Sequence, residues 1–71
     1  MNRISVSSSN LVSVGYDVED KTLEIEFQNG SIYQYYGVPE RIYRGFMNAA
    51  SHGSYFDAYI KKGGFAFKQI K

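Results

Sequence analysis

Two tyrosines one residue apart, Tyr33 and Tyr35, are the side chains of this sequence best suited to recognition chemistry. On a β-strand they point the same way, about 7 Å apart. Nucleobases stack on such rings for about 1–3 kcal/mol each. Arg41, Arg44, Lys61, Lys62 and Lys68 follow in the second half of the chain and supply cations that could hold phosphates. Glu24 and Glu26 share a strand face at a similar spacing, which suits paired carboxylates. A solvated strand face explains them more simply, and beside the tyrosines they would repel a phosphate backbone. Catalysis has little to work with, because His52 is the only histidine and there is no cysteine. Ser51-His52-Gly53-Ser54 sets hydroxyls beside an imidazole, but the members of a catalytic triad are rarely sequence neighbours. A partly exposed linker between two helices is the simpler reading of His52. No Walker motif, GxGxxG run or metal-spaced His/Asp cluster occurs. The expectation is a protein that is not an enzyme and uses no cofactor and no metal.

The elements that must position these side chains fit one small domain spanning residues 1–71. A chain of this size buries only about 60% of its unfolded surface, and without cysteine no disulfide adds to the core. Seven Tyr and five Phe compensate, since rings bury much area with little rotamer entropy. No apolar run approaches the roughly 18 residues of a membrane span, and the first ten residues lack the apolar stretch of a signal peptide. A cytoplasmic protein that does not engage membranes is expected. The net charge of +1 divides unevenly. Residues 1–36 carry two basic side chains against five acidic ones, a balance of −3, whereas residues 37–71 carry six against two, a balance of +4. The split is compatible with an anionic partner, although six cations over 35 positions form no dense patch.

Period-2 alternation governs the first half. Val12, Val14 and Tyr16 share one face of a strand, and Leu23, Ile25 and Phe27 share one face of the next. A four-residue turn at Val18–Lys21 pairs Asp17 with Thr22, Val14 with Ile25 and Val12 with Phe27. Asn29-Gly30 is a strong hairpin signal, since both residues tolerate positive φ. A two-residue loop there pairs Phe27 with Ile32, places Ile32, Gln34 and Tyr36 on the apolar face, and turns Tyr33 and Tyr35 outward over Gly15. A three-residue loop with a bulge slips the register by one and buries both tyrosines with Ile25 and Phe27. The two-residue loop is the reading adopted here. Beyond Pro39 the period becomes helical: Ile42, Phe46 and Ala50 form a stripe, and Gly45 permits close packing on the sheet. Gly53 reads as a left-handed cap and Ser54 as the N-cap of a second helix carrying Phe56, Tyr59 and Ile60. Residues 65–70 make a last strand at a sheet edge. The fold class is α+β, an antiparallel β-meander with two helices on one face and a C-terminal edge strand, in the order βββααβ.

Several segments in this order and spacing resemble the KTSC domain family. They are Val6-Ser7-Ser8-Ser9-Asn10 with Val14-Gly15-Tyr16, Tyr33-Gln34-Tyr35 followed by Val38-Pro39, and Ser51-His52-Gly53-Ser54-Tyr55. The resemblance runs from residue 4 to 70 and centres on the YxY motif. It implies a domain found at the C-terminus of some lysyl-tRNA synthetases and as short free-standing bacterial and phage proteins. RNA binding is the role that this company suggests. The tail Phe65-Ala66-Phe67-Lys68 is less basic than the Arg-rich aromatic tail of many members.

The expected function is therefore a non-catalytic binding module for RNA, acting through the tyrosine-bearing face and the C-terminal basic residues. The alternatives are an oligomer that binds a small nucleotide signal, with pockets built between subunits, and a protein-interaction module. The candidate binding residues are Tyr33, Tyr35, Arg41, Arg44, Lys61, Lys62 and Lys68, joined by Ser51, His52, Ser54 and Tyr55 of the family-like segment.

Overall fold

Alternating apolar and polar side chains build a five-stranded antiparallel sheet in the computed structural model, which describes residues 1–71. Strands β1 (Ile4–Ser5), β2 (Leu11–Asp17), β3 (Thr22–Phe27), β4 (Ile32–Tyr36) and β5 (Ala66–Gln69) lie side by side in that order. Helices α1 (Glu40–Met47) and α2 (His52–Tyr55) occupy the crossover between β4 and β5, and α2 runs on as wider π-type turns over Phe56–Lys61. The βββααβ meander is as expected, with β1 added at the opposite edge. No helix is long and apolar enough to cross a membrane. The core gathers Leu11, Val14, Leu23, Ile25, Tyr35, Val38, Phe46 and Ile60 between the helices and one sheet face.

The β2–β3 hairpin pairs Asp17 with Thr22 and Val14 with Ile25. The Asp17 carboxylate accepts from the backbone N–H groups of Glu19 and Asp20 and holds the turn. At the far end a bulge sets Leu11, not Val12, opposite Phe27. Leu11 thereby enters the core, 1% exposed. A bulge inserts one residue and moves everything beyond it to the other face, which strict alternation does not anticipate.

The β3–β4 register overturns the two-residue loop. Leu23 pairs with Tyr35, Ile25 with Tyr33 and Glu26 with Ile32. The connection is the three-residue form: Phe27 N–H donates to Ser31 O at 2.9 Å, and Gly30 takes φ +88°. Asn29 Oδ1 also accepts from the backbone N–H and the hydroxyl of Ser31. Gly30 thus supplies the left-handed residue of the bulged loop. Tyr33 and Tyr35 consequently face the helices, and Ile32, Gln34 and Tyr36 take the opposite side. Two large rings stabilise the apolar side more than Gln34 and Ile32 would, so burial decides the register.

The opposite side is no open carboxylate surface. Glu24 is 6% exposed. Arg3 pairs with Glu24 and lies 3.8 Å from Glu26, while Arg3 Nε donates to Ser13 Oγ at 2.9 Å. Gln34 donates to Glu24 at 2.8 Å, and Tyr36 OH donates to Gln34 at 3.0 Å. Residues Met1–Arg3 cross over Gly15, whose missing Cβ would meet the carbonyl oxygen of Asn2 at 2.9 Å. Backbone, not a tyrosine ring, fills the space that this glycine leaves.

The helical half departs from expectation in its caps. Ser51 is the N-cap of α2, accepting from Ser54 N–H at 3.2 Å. Gly53 lies inside that helix and not in the left-handed region. An N-cap oxygen reaches the N–H three residues on, and Ser51 fulfils that role one helical turn earlier than Ser54 would. Helix α1 ends at Met47, leaving Ala50 exposed outside it. Gly45 makes its close contact with Tyr55 of α2 rather than with the sheet.

Candidate ligand-binding groove

The slipped register turns the YxY pair into the wall of a groove. Tyr33 and Tyr35 project from β4, Phe67 stands opposite Tyr35 on β5, and Phe56 descends from the π segment. Tyr33 and Tyr35 stack at 6.3 Å, Phe67 lies 6.1 Å and 5.7 Å from them, and Phe56 meets Tyr35 edge-on at 5.6 Å. Phe27 closes the series, edge-on to Tyr33 at 5.7 Å. These rings line an open groove of about 720 Å³ with Asn10, Gln28 and Asn29 along its rim and Lys61 and Asp57 at one end. Burial, and secondarily the neighbouring Tyr33, pushes the Tyr35 phenol up to about 12. Its hydroxyl therefore stays protonated and can donate across the physiological range. Tyr33 OH donates to Gln69 Oε1 at 3.1 Å, tying β4 to β5 at the groove mouth.

A second, polar cleft of about 400 Å³ adjoins the groove where the Ser7–Asn10 loop faces the start of α2. Ser51, His52 and Ser54 line it, so three of the sequence candidates meet there. His52 Nδ1 lies 2.9 Å from Phe46 O. A carbonyl oxygen only accepts, so Nδ1 is the donor, and in the tautomer this bond selects Nε2 is the acceptor.

The remaining candidates do not converge. Lys61 reaches the groove, but it and Lys62 both approach Asp57, at 3.9 Å and 3.6 Å. Arg44 pairs with Glu40 at 2.8 Å on the exposed side of α1, where Arg41 is also exposed. Lys68 pairs in register with Gln34 and so belongs to the opposite sheet face. Tyr55 packs against Phe46 at 5.9 Å and Tyr59 at 4.6 Å, over Gly45, as a structural ring. Sequence reasoning missed Phe27, Phe56, Phe67 and the amides of Asn10, Gln28 and Asn29. The three-residue reading of the Asn29-Gly30 turn was the signal that would have gathered Phe27 with the tyrosines. No group of three or more His, Cys, Asp or Glu side chains is placed to hold a metal ion.

Sheet order, helix placement and a ring-lined groove define a small α+β domain with a helix-capped antiparallel sheet. Within that class the chain belongs to the KTSC domain family, whose model matches residues 7–65. A KTSC domain protein from Yersinia pestis has the same fold, with a TM-score of 0.90 and 48% identity over 99% of this chain and 97% of that one. An uncharacterized protein of Stutzerimonas stutzeri is 39% identical over 61 residues, 86% of each chain. The lysine–tRNA ligase of Nostoc punctiforme is 42% identical over 55 residues, which are 78% of this chain and 10% of the ligase.

Proposed function

We propose that this domain is a non-catalytic binding module whose groove receives one flat, ring-bearing ligand of the nucleobase class. The observation that carries this reading is the convergence of Tyr33, Tyr35, Phe56 and Phe67 on one groove rimmed by side-chain amides. Rings sandwich a planar heterocycle, and amides can satisfy the donors and acceptors along its edge. The scattered cations argue against a long phosphate track, since Lys61, Lys62 and Arg44 sit beside carboxylates and Lys68 lies on the other sheet face. Binding should accordingly depend only weakly on salt.

A second reading, single-stranded RNA, has one observation in its favour: a similar segment makes up 10% of a lysine–tRNA ligase. One titration separates the two. Amide chemical shifts are followed while mononucleotides, and then a mixed-sequence single-stranded RNA, are added at low and at high salt. The groove reading expects saturable shifts around Tyr33, Tyr35, Phe56 and Phe67 with mononucleotides, nearly insensitive to salt. Phe67→Ala should weaken that binding by about 1–3 kcal/mol, the worth of one stacked base, because Phe67 is exposed and its loss spares the core. RNA that binds far more tightly than mononucleotides, with a steep salt dependence, would move the function to the polyanion. Silence with every nucleotide and with RNA removes both readings.

A further inference from the structure

The polar cleft has a composition that the aromatic groove lacks. Its lining includes five serines, the Asn10 amide, the His52 imidazole and the Asp57 carboxylate. No Lys or Arg lines it, and Asp57 is its one charged side chain. A phosphate placed there would meet the carboxylate directly, whereas Lys61 and Lys62, which approach that carboxylate, do not line the cleft. Neutral hydroxyl groups are the better match. Serine hydroxyls donate and accept, His52 Nε2 and Asp57 accept, and the Asn10 amide does both.

The cleft is also continuous with the groove, because Asn10, Gly53 and Asp57 line both. Gly53 sits at the junction facing the loop: a methyl group added there would make ordinary contacts, 3.7 Å from Asn10 Nδ2 and 3.9 Å from Ser8 Oγ. Backbone bonds fix the loop wall, with Ser8 Oγ accepting from Asn10 N–H and Leu11 N–H, and Gln28 N–H donating to Asn10 O at 2.9 Å. The opposite wall is fixed by the Ser51 cap and by the bond between His52 and Phe46.

We propose that this cleft is a sugar subsite, which takes the ribose hydroxyls of a ribonucleoside whose base lies in the aromatic groove. The assignment rests on the reading of the groove as a base site and narrows its ligand from any planar ring to a ribonucleoside. The serine-rich loop and the Ser51–Ser54 segment then share one purpose.

Isothermal titration and chemical-shift titration test it, using adenine, cytosine and uracil, their ribonucleosides and 2′-deoxyribonucleosides, and the 5′-monophosphates. At least one ribonucleoside should bind about tenfold more tightly than its free base, the equivalent of one or two net hydrogen bonds. The 2′-deoxy form should lose part of that gain, and the 5′-phosphate should add none. Ser7→Ala combined with Ser9→Ala, two exposed positions, should bring the ribonucleoside-to-base ratio toward one and leave base affinity unchanged. His52→Phe keeps a ring against Phe46, removes Nε2 together with the Nδ1 bond to Phe46 O, and should act in the same direction. Bases and ribonucleosides that bind equally overturn the sugar subsite and leave the base groove standing. Ribonucleoside binding that both variants leave intact also overturns it. Absence of binding by bases and ribonucleosides alike overturns the groove reading and the subsite together.

Discussion

The two faces of this sheet solve the same problem with opposite chemistry. On the helix side, Leu23, Ile25 and Tyr35 are covered by Phe46, Ile60 and Phe56, and apolar area removed from water stabilises them. On the far side, Glu24 is as well buried as Tyr35, yet its partners are Arg3 and Gln34, with Ser13 donating to Glu26 beside them. The first face is non-directional and leaves an open groove where its rings run past the helices. The second is directional, and residues 1–3 close it. Cross-strand pairs teach why both faces must change together: a shift of one residue exchanges Tyr33 and Tyr35 for Ile32, Gln34 and Tyr36. The ring cluster and the polar network are therefore two readouts of a single register.

The largest expected effect breaks the helix side. Tyr35→Ala empties a core site and should cost about 3–5 kcal/mol in urea denaturation, close to all the stability of a domain this size. A loss below about 1 kcal/mol would return Tyr35 to an outward position.

A smaller effect tests the far side. Arg3→Met leaves Glu24 with Gln34 alone and should cost about 1–3 kcal/mol at neutral pH. Burial by itself would raise the Glu24 pKa, but hydrogen bonds from Gln34 and Arg3, with the Arg3 charge, outweigh it and hold the carboxyl below the ordinary value of 4.5. A group with a depressed folded pKa contributes stability above its unfolded value and loses that contribution as pH falls through the folded one. Wild-type stability should therefore drop below pH 4.5, and the gap to Arg3→Met should narrow over the same range. A gap that stays constant into acid would show that Glu24 ionisation is not what Arg3 supports.

Least is expected from the turn that sets the register. Gly30→Val places a β-branched residue at φ +88° and should cost about 1–2 kcal/mol, with the midpoint of thermal unfolding as the readout. An unchanged midpoint would mean that the loop is not held in its bulged form.

Much of this was legible in the sequence, and what was not has a local cause. Alternation located β2, β3 and β4, and Asp17 with Thr22 fixed the first hairpin. The second hairpin was misread because Asn29-Gly30 suits both loop lengths, and only the burial of two tyrosine rings, a tertiary effect, separates them. Ser51 was overlooked as a cap because Ser54 offers the same side chain three residues later. Arg3 was unreadable as a partner of Glu24, since nothing local signals a contact 21 residues away across two strands. The groove followed the register: with Tyr33 and Tyr35 turned outward, Phe56 and Phe67 had no reason to be grouped with them.

Gly45 carries a consequence for how such sequences can drift. Tyr55 lies so close over it that a Cβ would collide with the phenol, so residues 45 and 55 are not free to vary independently. A larger residue at 45 becomes acceptable only after position 55 has shrunk or its ring has swung away from Phe46 and Tyr59. The order of two substitutions then decides whether each step is viable. An exchange that is harmless at its end point passes through a poorly folded intermediate when it is made in the wrong order.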